Sequence, residues 1–261
     1  MDMNLANKVV VVTGASKGIG LAVSQAFAAA GAHVIAGARN NTQDLEALEA
    51  AGTATFVAAD LSTPEGPRAL IAAAAERGGV DVLVNNAGAV ATRFDGILSV
   101  TDEQWDAALS LNFMSAVRTT REAIPQMLAR GGGSIVMIGS VNATLPEWNI
   151  VDYSATKAAL ANYAKSLSKE FGPKGIRVNT ISPGPVSTPL WLAADGVAAQ
   201  FAAASGGTAD DVVAAVSAGA PTGRFTTPQE VADLTVFLAS DRSANTTGAD
   251  VRIDGGYVTT I

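Results

Sequence analysis

The hydrophobic pattern alternates between short β-branched runs and longer amphipathic stretches. Short apolar runs bounded by turn residues are typical of buried strands, whereas periodic stretches of ten or more residues are typical of helices. The pattern predicts strands at residues 9–12, 33–36, 55–58, 80–84, 134–138, 176–181 and 250–253. It predicts helices at residues 21–30, 42–50, 64–76, 102–130, 152–170 and 228–238. This strict alternation predicts an α/β fold with a doubly wound, Rossmann-like parallel sheet, in one domain spanning residues 1–261.

Two helix starts carry a specific polar signal. Thr101 stands three residues before Gln104, and Thr227 precedes Pro228 and stands three residues before Glu230. A Thr followed at this spacing by Gln or Glu predicts a capping box, and Pro is favoured at the first helical position. We therefore expect helices to begin directly after Thr101 and Thr227.

One region lacks a clear pattern. Residues 188–223 are rich in Ala and Gly and carry only three charges, Asp195, Asp210 and Asp211, before Arg224. A segment of this length with a weak helical pattern is typically a functional loop. We predict that it forms a lid over a substrate site.

Composition narrows the functional classes. The 261 residues are 48% hydrophobic, include no Cys and only one His (His33), and carry a net charge of −7. These values predict a large core and argue against disulfides, thiolate chemistry, a His-based triad and a His-rich metal site. The acidic balance argues against binding to nucleic acid or to an anionic membrane. With no long apolar run and no signal-like N-terminus, we expect a soluble, cytoplasmic protein that acts on a small molecule.

A glycine-rich turn follows the first predicted strand. Gly14, Gly18 and Gly20 lie between the valine run at residues 9–12 and the first helix. Glycines allow the backbone to approach a pyrophosphate, and a helix N-terminus offers free N–H groups to it. The spacing differs from G-x-G-x-x-G. The turn indicates a dinucleotide site, although a purely structural turn is the alternative.

The end of the second strand bears on the choice of cofactor. An NAD site usually has a carboxylate about twenty residues beyond the turn, but here the sequence is Gly37-Ala38-Arg39-Asn40. Arg39 could pair with a 2′-phosphate, and Lys17 adds a second cation. Two cations without an acid favour NADP(H) over NAD(H). The alternative is that Arg39 is a solvated strand end.

The stretch from Ser140 to Lys157 carries candidate proton-transfer chemistry. Tyr153 and Lys157 are four residues apart, so a helix places them on one face. A cation near a phenol favours the phenolate, and a nearby Ser hydroxyl could hold a substrate oxygen. An incidental Tyr and Lys on a helix is one alternative. Another is an acyl-enzyme site, because Ser154-x-x-Lys157 fits S-x-x-K, although no K-T-G follows.

Taken together, these motifs resemble the short-chain dehydrogenase/reductase family over essentially the whole length. The residues that carry the resemblance are Thr13-Gly14-x-x-x-Gly18-x-Gly20, Asn85-Asn86-Ala87-Gly88, the set Asn112, Ser140, Tyr153 and Lys157, and Pro183-Gly184 with Thr188. The family often has Y-x-A-S-K where this chain has Tyr153-Ser154-Ala155-Thr156-Lys157. That change should leave the catalytic set intact.

The resemblance implies a role for each matched residue. Tyr153 would be the general acid/base, Lys157 would lower its pKa and bind the nicotinamide ribose, Ser140 would polarise the substrate oxygen, and Asn112 would hold a relay water. The implied cofactor contacts are Gly14, Ser16, Lys17, Gly18, Ile19, Gly20, Arg39, Asp60, Leu61, Asn86, Ala87, Gly88, Tyr153, Lys157, Pro183, Gly184, Val186 and Thr188. The family also implies a homotetramer with the helices at 102–129 and 152–170 paired across one interface.

The expected reaction is hydride transfer between NADP(H) and a carbonyl or alcohol. Trp191, Leu192 and Phe201 in the predicted lid, together with Pro146, Trp148 and Ile150 between Ser140 and Tyr153, favour a neutral, largely apolar substrate. These residues could instead pack the lid or an oligomer interface. The alternatives that remain are a 3-ketoacyl thioester reductase of the same family and a non-catalytic dinucleotide-binding sensor or scaffold.

Overall fold

The computed structural model describes residues 3–260, and its elements follow the predicted alternation. The strands are β1 (Val9–Thr13), β2 (His33–Ala38), β3 (Ala54–Ala58), β4 (Val82–Asn85), β5 (Gly133–Ile138), β6 (Ile176–Pro183) and β7 (Asp250–Ile253). The first five helices are α1 (Gly18–Ala29), α2 (Gln43–Ala50), α3 (Glu65–Ala75), α4 (Asp102–Leu109) and α5 (Ser115–Ala129). The others are α6 (Val151–Phe171), α7 (Pro189–Leu192), α8 (Val197–Ser205), α9 (Ala209–Ala218) and α10 (Pro228–Ala239).

The strands form one parallel sheet in the order β3-β2-β1-β4-β5-β6-β7. The chain builds outward from β1 to β3 and then crosses to β4 on the other side of β1. Strand order reverses between β1 and β4, and a doubly wound sheet binds its ligands in the crevice at the carboxyl ends of such a pair. The predicted Rossmann-like fold is confirmed, and the topology places the glycine turn after β1 at this crevice.

The hydrophobic core lies on both faces of the sheet. Val10 and Val12 of β1 pack in the cluster that includes Phe27 of α1 and Val231 of α10. Val9 and Val11 point to the other face, where the cluster draws on α3, α5 and α6. All five residues of β1 are buried, which explains why this strand is a continuous apolar run rather than an alternating one.

Both predicted capping boxes are present, but the helix predicted for residues 102–130 is not uniform. Thr101 accepts the Gln104 N–H and Thr227 accepts that of Glu230, each with the reciprocal side-chain bond. Between α4 and α5, however, the five residues Ser110–Met114 form a π-helical turn. Such turns are rare and occur frequently at functional sites. This turn contains Asn112.

The region predicted as a lid is mostly helical. Residues 188–223 contain α7, α8 and α9, the last with a capping box formed by Thr208 and Asp211. Their weak sequence pattern reflects many small alanines rather than an absence of helix. Among residues 3–260, no helix is long and apolar enough to cross a membrane.

Candidate active site

A cavity of about 680 Å³ opens at the carboxyl edge of the sheet. Of the catalytic and cofactor-binding residues predicted from the sequence, all except Asn112 line this cavity. The predicted residues that line it are Gly14, Ser16, Lys17, Gly18, Ile19, Gly20, Arg39, Asp60, Leu61, Asn86, Ala87, Gly88, Ser140, Tyr153, Lys157, Pro183, Gly184, Val186 and Thr188. Residues separated by up to 174 positions, from Gly14 to Thr188, thus surround one volume.

The turn after β1 requires its glycines. Gly14 and Gly18 have φ values of +68° and +56°, in the left-handed region that favours glycine. Gly20 has an ordinary φ, but a Cβ on it would collide with the Gly14 carbonyl oxygen and the Asn86 side chain. A side chain at Gly20 therefore cannot be accommodated without moving the turn.

Asn86 fixes this turn to the end of β4. Its side-chain Nδ2 donates to the carbonyl oxygens of Thr13 at 2.9 Å and Gly14 at 3.2 Å. The Thr13 hydroxyl in turn accepts the backbone N–H groups of Asn86 and Ala87 at 2.9 and 3.0 Å. The two strands on either side of the switch point are locked together by these four hydrogen bonds.

The N-terminus of α1 fits the pyrophosphate of a dinucleotide. The residue before the helix, Lys17, makes no side-chain capping hydrogen bond, and the first turn contains no acidic residue. The first N–H groups of a helix have no partner within the helix, and the helix dipole favours an anion there. Because glycines flank these groups on the cavity side, a phosphate can approach them closely.

Two exposed cations and one acid lie at the far end of the cavity. Lys17 and Arg39 are exposed, and among the described residues neither forms an ion pair. Asp60 accepts hydrogen bonds from the hydroxyl and the N–H of Ser62, which lower the pKa of its carboxyl, and Arg39 lowers it further through its charge. The arrangement leaves Lys17 and Arg39 available to an anionic group.

Ser140, Tyr153 and Lys157 meet at the other end of the cavity. The Lys157 Nζ lies 5.6 Å from the centroid of the Tyr153 ring and donates to the Ile138 carbonyl oxygen at 2.8 Å. Ser140 is 93% buried, and its hydroxyl accepts the Asn142 N–H at 3.1 Å and donates to the Asn142 side-chain oxygen at 3.0 Å. This arrangement brings a hydroxyl, a phenol and an ammonium together without a metal ligand or a His.

Burial dominates the protonation of this site. It raises the pKa of Tyr153, and hydrogen bonding with Ser140 only partly opposes the rise. Burial also lowers the pKa of Lys157 from its ordinary 10.5 to about 8. The expectation that Lys157 lowers the pKa of Tyr153 thus meets a larger opposing effect, since desolvation disfavours every charged form.

Asn112 lies behind the cavity wall rather than in it. Its side-chain oxygen accepts the Ala89 N–H at 2.8 Å, and its Nδ2 donates to the Ala108 carbonyl at 3.1 Å. Gly88 separates it from the cavity: a Cβ there would stand 2.8 Å from the Asn112 Oδ1 and 3.7 Å from the Lys157 Nζ. Asn112 and Lys157 are therefore close neighbours across a glycine.

The remaining cavity wall corrects several sequence-based expectations. Trp191, Phe201 and Ile150 line the cavity as expected, but Pro146, Trp148 and Leu192 do not. Trp148 is 65% exposed and Leu192, at the end of α7, is 51% exposed, so both side chains face away from the cavity. Ser154 is buried outside the cavity lining, which leaves the acyl-enzyme interpretation without an accessible nucleophile.

Sequence reasoning missed several polar groups in and near the cavity. Asn142, Glu147, Asn149 and Tyr257 line it. Burial raises the pKa of the Tyr257 phenol, and the nearby Glu147 carboxylate raises it further. Asn142, two residues from Ser140, could have been suspected from its position, whereas Tyr257 is 104 residues from Tyr153 and no local pattern marks it.

Comparisons with known proteins agree with this geometry. A family model described as Enoyl-(Acyl carrier protein) reductase matches residues 14–258. D-threitol dehydrogenase from Mycolicibacterium smegmatis is 38% identical over 98% of this chain and 95% of its own. The 3-oxoacyl-(acyl-carrier-protein) reductase FabG of Escherichia coli K12 is 34% identical over 97% of this chain and 98% of its own.

A solved structure gives the same result in three dimensions. L-sorbose reductase from Gluconobacter frateurii, solved in complex with NADPH and L-sorbose, superposes with a TM-score of 0.91. It is 38% identical, and the match covers all of both chains. With the full-length match, the glycine turn at the strand switch point and the parallel seven-stranded order, the chain belongs to the short-chain dehydrogenase/reductase family of oxidoreductases.

Proposed function

We propose that this protein transfers a hydride between NADP(H) and a neutral carbonyl or alcohol substrate, with Tyr153 as the general acid/base. The observation that chiefly supports the proposal is the meeting of Ser140, Tyr153 and Lys157 in the same cavity that the glycine turn lines. When bound, the nicotinamide supplies or accepts the hydride. The protein must therefore hold the substrate oxygen and manage its proton.

The proposed roles follow from the contacts. In reduction, the Ser140 hydroxyl turns its proton from the Asn142 Oδ1 to the carbonyl oxygen of the substrate, and Tyr153 gives that oxygen its proton. Because burial raises the pKa of Tyr153, the phenol is protonated and ready to donate at neutral pH. The Lys157 ammonium then stabilises the phenolate that remains. Asn112, adjacent to Lys157, is proposed to hold the water through which the proton is replaced.

Preference for NADP(H) over NAD(H) is proposed from Arg39 and Lys17. Both cations line the cavity, and a charge-assisted pair with a 2′-phosphate contributes about 1.5–3 kcal/mol, roughly 10- to 100-fold in affinity. Arg39→Ala should weaken NADPH binding by about that factor and NADH binding by less than threefold, as measured by fluorescence titration. Arg68→Ala, which removes a surface ion pair with Glu122, is the matched control. Equal losses for NADPH and NADH would refute the assignment.

The substrate is proposed to be neutral. Among the described residues that line the cavity, the only cations are Lys17, Arg39 and Lys157, so the proposed lid offers none to a phosphorylated substrate. Val90, Trp191 and Phe201 form an apolar wall, and the polar groups of Asn142, Glu147, Asn149 and Tyr257 lie on the same cavity. This mixture suits a hydroxylated ketone or its polyol. The similarity to an L-sorbose reductase and a D-threitol dehydrogenase supports the same class.

A 3-oxoacyl thioester is the second candidate substrate. It is favoured by the 34% identity to FabG, whereas the description of the matching family model has in common with it only an acyl-carrier-protein thioester. The net charge of −7 disfavours docking of an acidic carrier protein. NADPH oxidation should be measured with L-sorbose, with an unfunctionalised methyl ketone and with acetoacetyl-CoA. Turnover of the thioester alone would overturn the proposed substrate class, and binding of NADPH without turnover of any carbonyl would favour a sensor.

We also propose that the protein assembles as a homotetramer, paired across α4, α5 and α6. Leu98 is fully exposed, Ile97 is half exposed and Leu109 is 37% exposed beside this face, which is unusual for large apolar side chains. Light scattering coupled to size-exclusion chromatography should give four times the chain mass of 26.3 kDa. A monomer would refute this assignment without bearing on the proposed chemistry.

A further inference from the structure

A buried ion pair adjoins the proposed general acid and has no place in the chemistry described so far. Both Nε and Nη2 of Arg93 donate to the Oδ2 of Asp152, at 3.1 and 2.6 Å. The two side chains are only 14% and 2% exposed. Burying a charge pair is costly, and its net contribution to stability is often small. A role in positioning is therefore a better explanation for this pair than stability.

The pair holds the turn that leads into Tyr153. The second carboxylate oxygen of Asp152 accepts the Tyr153 backbone N–H at 2.9 Å, in the first turn of α6. The backbone N–H of Arg93 donates to the Asn149 carbonyl at 2.7 Å, just before the helix begins. Arg93 thus binds both sides of the helix start, and Asp152 transmits its position directly to the Tyr153 backbone.

The neighbours of Arg93 bind the proposed lid. The Thr92 hydroxyl donates to the Gln200 side-chain oxygen of α8 at 2.7 Å. The rings of Phe94 and Phe201 pack edge to face, with centroids 5.1 Å apart and an interplanar angle of 83°. Three consecutive residues, 92–94, therefore contact α8 on one side and the start of α6 on the other.

We propose that Arg93 is a positioning residue: it anchors residues 92–94 to the start of α6, so that the place of α8 over the cavity and the place of Tyr153 are set together. Arg93 does not itself line the cavity, and its backbone N–H contacts the lining only through the carbonyl of Asn149. Its effect on turnover rests on the proposed function, but its effect on the order of the two helices does not.

The test replaces Arg93 with Met, which keeps most of the side-chain length and removes the charge. Arg93→Lys is the conservative variant. Arg130→Met is the matched control, since Arg130 pairs with Asp81 at 2.8 Å at the opposite edge of the sheet. Amide hydrogen exchange is followed in peptides covering residues 151–157, 197–205 and 228–239 in each full-length variant.

We expect Arg93→Met to speed exchange at least tenfold in residues 151–157 and 197–205 while leaving residues 228–239 within twofold of the unmodified protein. Arg93→Lys should recover part of the protection at residues 151–157, and Arg130→Met should change neither peptide. With NADPH and the substrate found for the enzyme, kcat of Arg93→Met should fall at least tenfold, while the NADPH dissociation constant changes less than threefold.

Uniform acceleration in all three peptides would overturn the proposal, because it indicates a general loss of stability. Unchanged exchange in residues 151–157 would overturn it as well. Thr92→Val, which leaves the ion pair intact, is the second variant should Arg93→Met not fold. Thr92→Val should speed amide exchange in residues 197–205 and raise KM without speeding exchange in residues 151–157. Unchanged exchange in residues 197–205 would contradict the proposal that residues 92–94 hold α8 in place. If the exchange rates change as expected but the unmodified protein turns over no carbonyl, the proposed function is refuted and the positioning role of Arg93 is not.

Discussion

The protein should become more stable near neutral pH when Lys157 is replaced by Met. Lys157 is 4% exposed, and its burial lowers its pKa from 10.5 to about 8. Since each factor of ten in proton affinity corresponds to about 1.4 kcal/mol, the buried ammonium costs on the order of 3 kcal/mol at pH 7. Met removes this cost but leaves the Ile138 carbonyl without its donor, an offset of roughly 1 kcal/mol. We expect a net gain of about 2 kcal/mol at pH 7.

The gain should depend on pH in a direction fixed by linkage. Between pH 8 and 10.5 the unfolded chain binds a proton at this lysine that the folded chain does not, so the stability of the unmodified protein rises with pH over that range. At pH 9.5 the cost has fallen to between about 1 and 2 kcal/mol. The advantage of Lys157→Met should therefore shrink by about 2 kcal/mol from pH 7 to pH 9.5.

Urea unfolding followed by circular dichroism, at one protein concentration and without cofactor, measures this difference. Lys165→Met is the control, because Lys165 lies exposed on the same helix and also donates to a backbone carbonyl, that of Gly248 at 2.7 Å. It should show no such pH dependence. If the stability difference between Lys157→Met and the unmodified protein is the same at both pH values within about 0.5 kcal/mol, the buried charge of Lys157 does not destabilise the folded protein as we infer.

Three further predictions concern catalysis, the cofactor turn and acid stability. Tyr153→Phe should lower kcat by about 10²- to 10⁴-fold, the usual contribution of general acid catalysis, with NADPH affinity within twofold in a fluorescence titration; unchanged turnover would exclude the assigned role. Gly20→Ala should weaken NADPH binding at least tenfold by calorimetry, because its methyl group collides with the Gly14 carbonyl, and equal affinity would show that the turn adapts. Hydrogen bonding, first from Arg224 and then from the backbone and hydroxyl of Thr227, lowers the pKa of Glu230 to about 2. That stabilisation is present above about pH 4.5 and lost as the pH falls towards 2. The thermal unfolding temperature of Arg224→Ala should therefore be lower than that of the unmodified protein at pH 6, and the two temperatures should converge in acid. A difference in unfolding temperature that stays the same at both pH values would contradict the linkage.

The sequence predicted what depends on local patterns. The valine run at residues 9–12 identifies a strand buried on both faces, and the paired Thr–Gln and Thr–Glu spacings identify two helix starts, because strand burial and capping are decided within a few residues. The glycine positions in the turn are likewise set by local backbone geometry. For this reason the alternation of strands and helices could be predicted from the chain, whereas α7, α8, α9 and the order of the strands could not.

What the sequence could not predict depends on contacts between distant residues. Arg93 and Asp152 are 59 residues apart, and only the packed fold shows that they pair beside Tyr153. The π-helical turn around Asn112 could not be predicted, because five residues are too few to show a periodicity different from that of the α-helices on either side. The direction in which Trp148 points and the effect of burial on the pKa of Tyr153 also depend on the surroundings that the fold creates.

The glycines around the site also restrict the order in which mutations could accumulate during evolution. At Gly20 the nearest obstacle to a larger residue is the Gly14 main chain, which no side-chain replacement elsewhere can remove. At Gly88 the nearest obstacle is the Asn112 side chain, which can be shortened. A lineage can therefore exchange Gly88 once the Asn112 side chain has moved or been shortened, and either change alters the neighbour of Lys157. A larger residue at Gly20 therefore requires the main chain of the turn to move, whereas one at Gly88 requires only a side chain beside Lys157 to move or change.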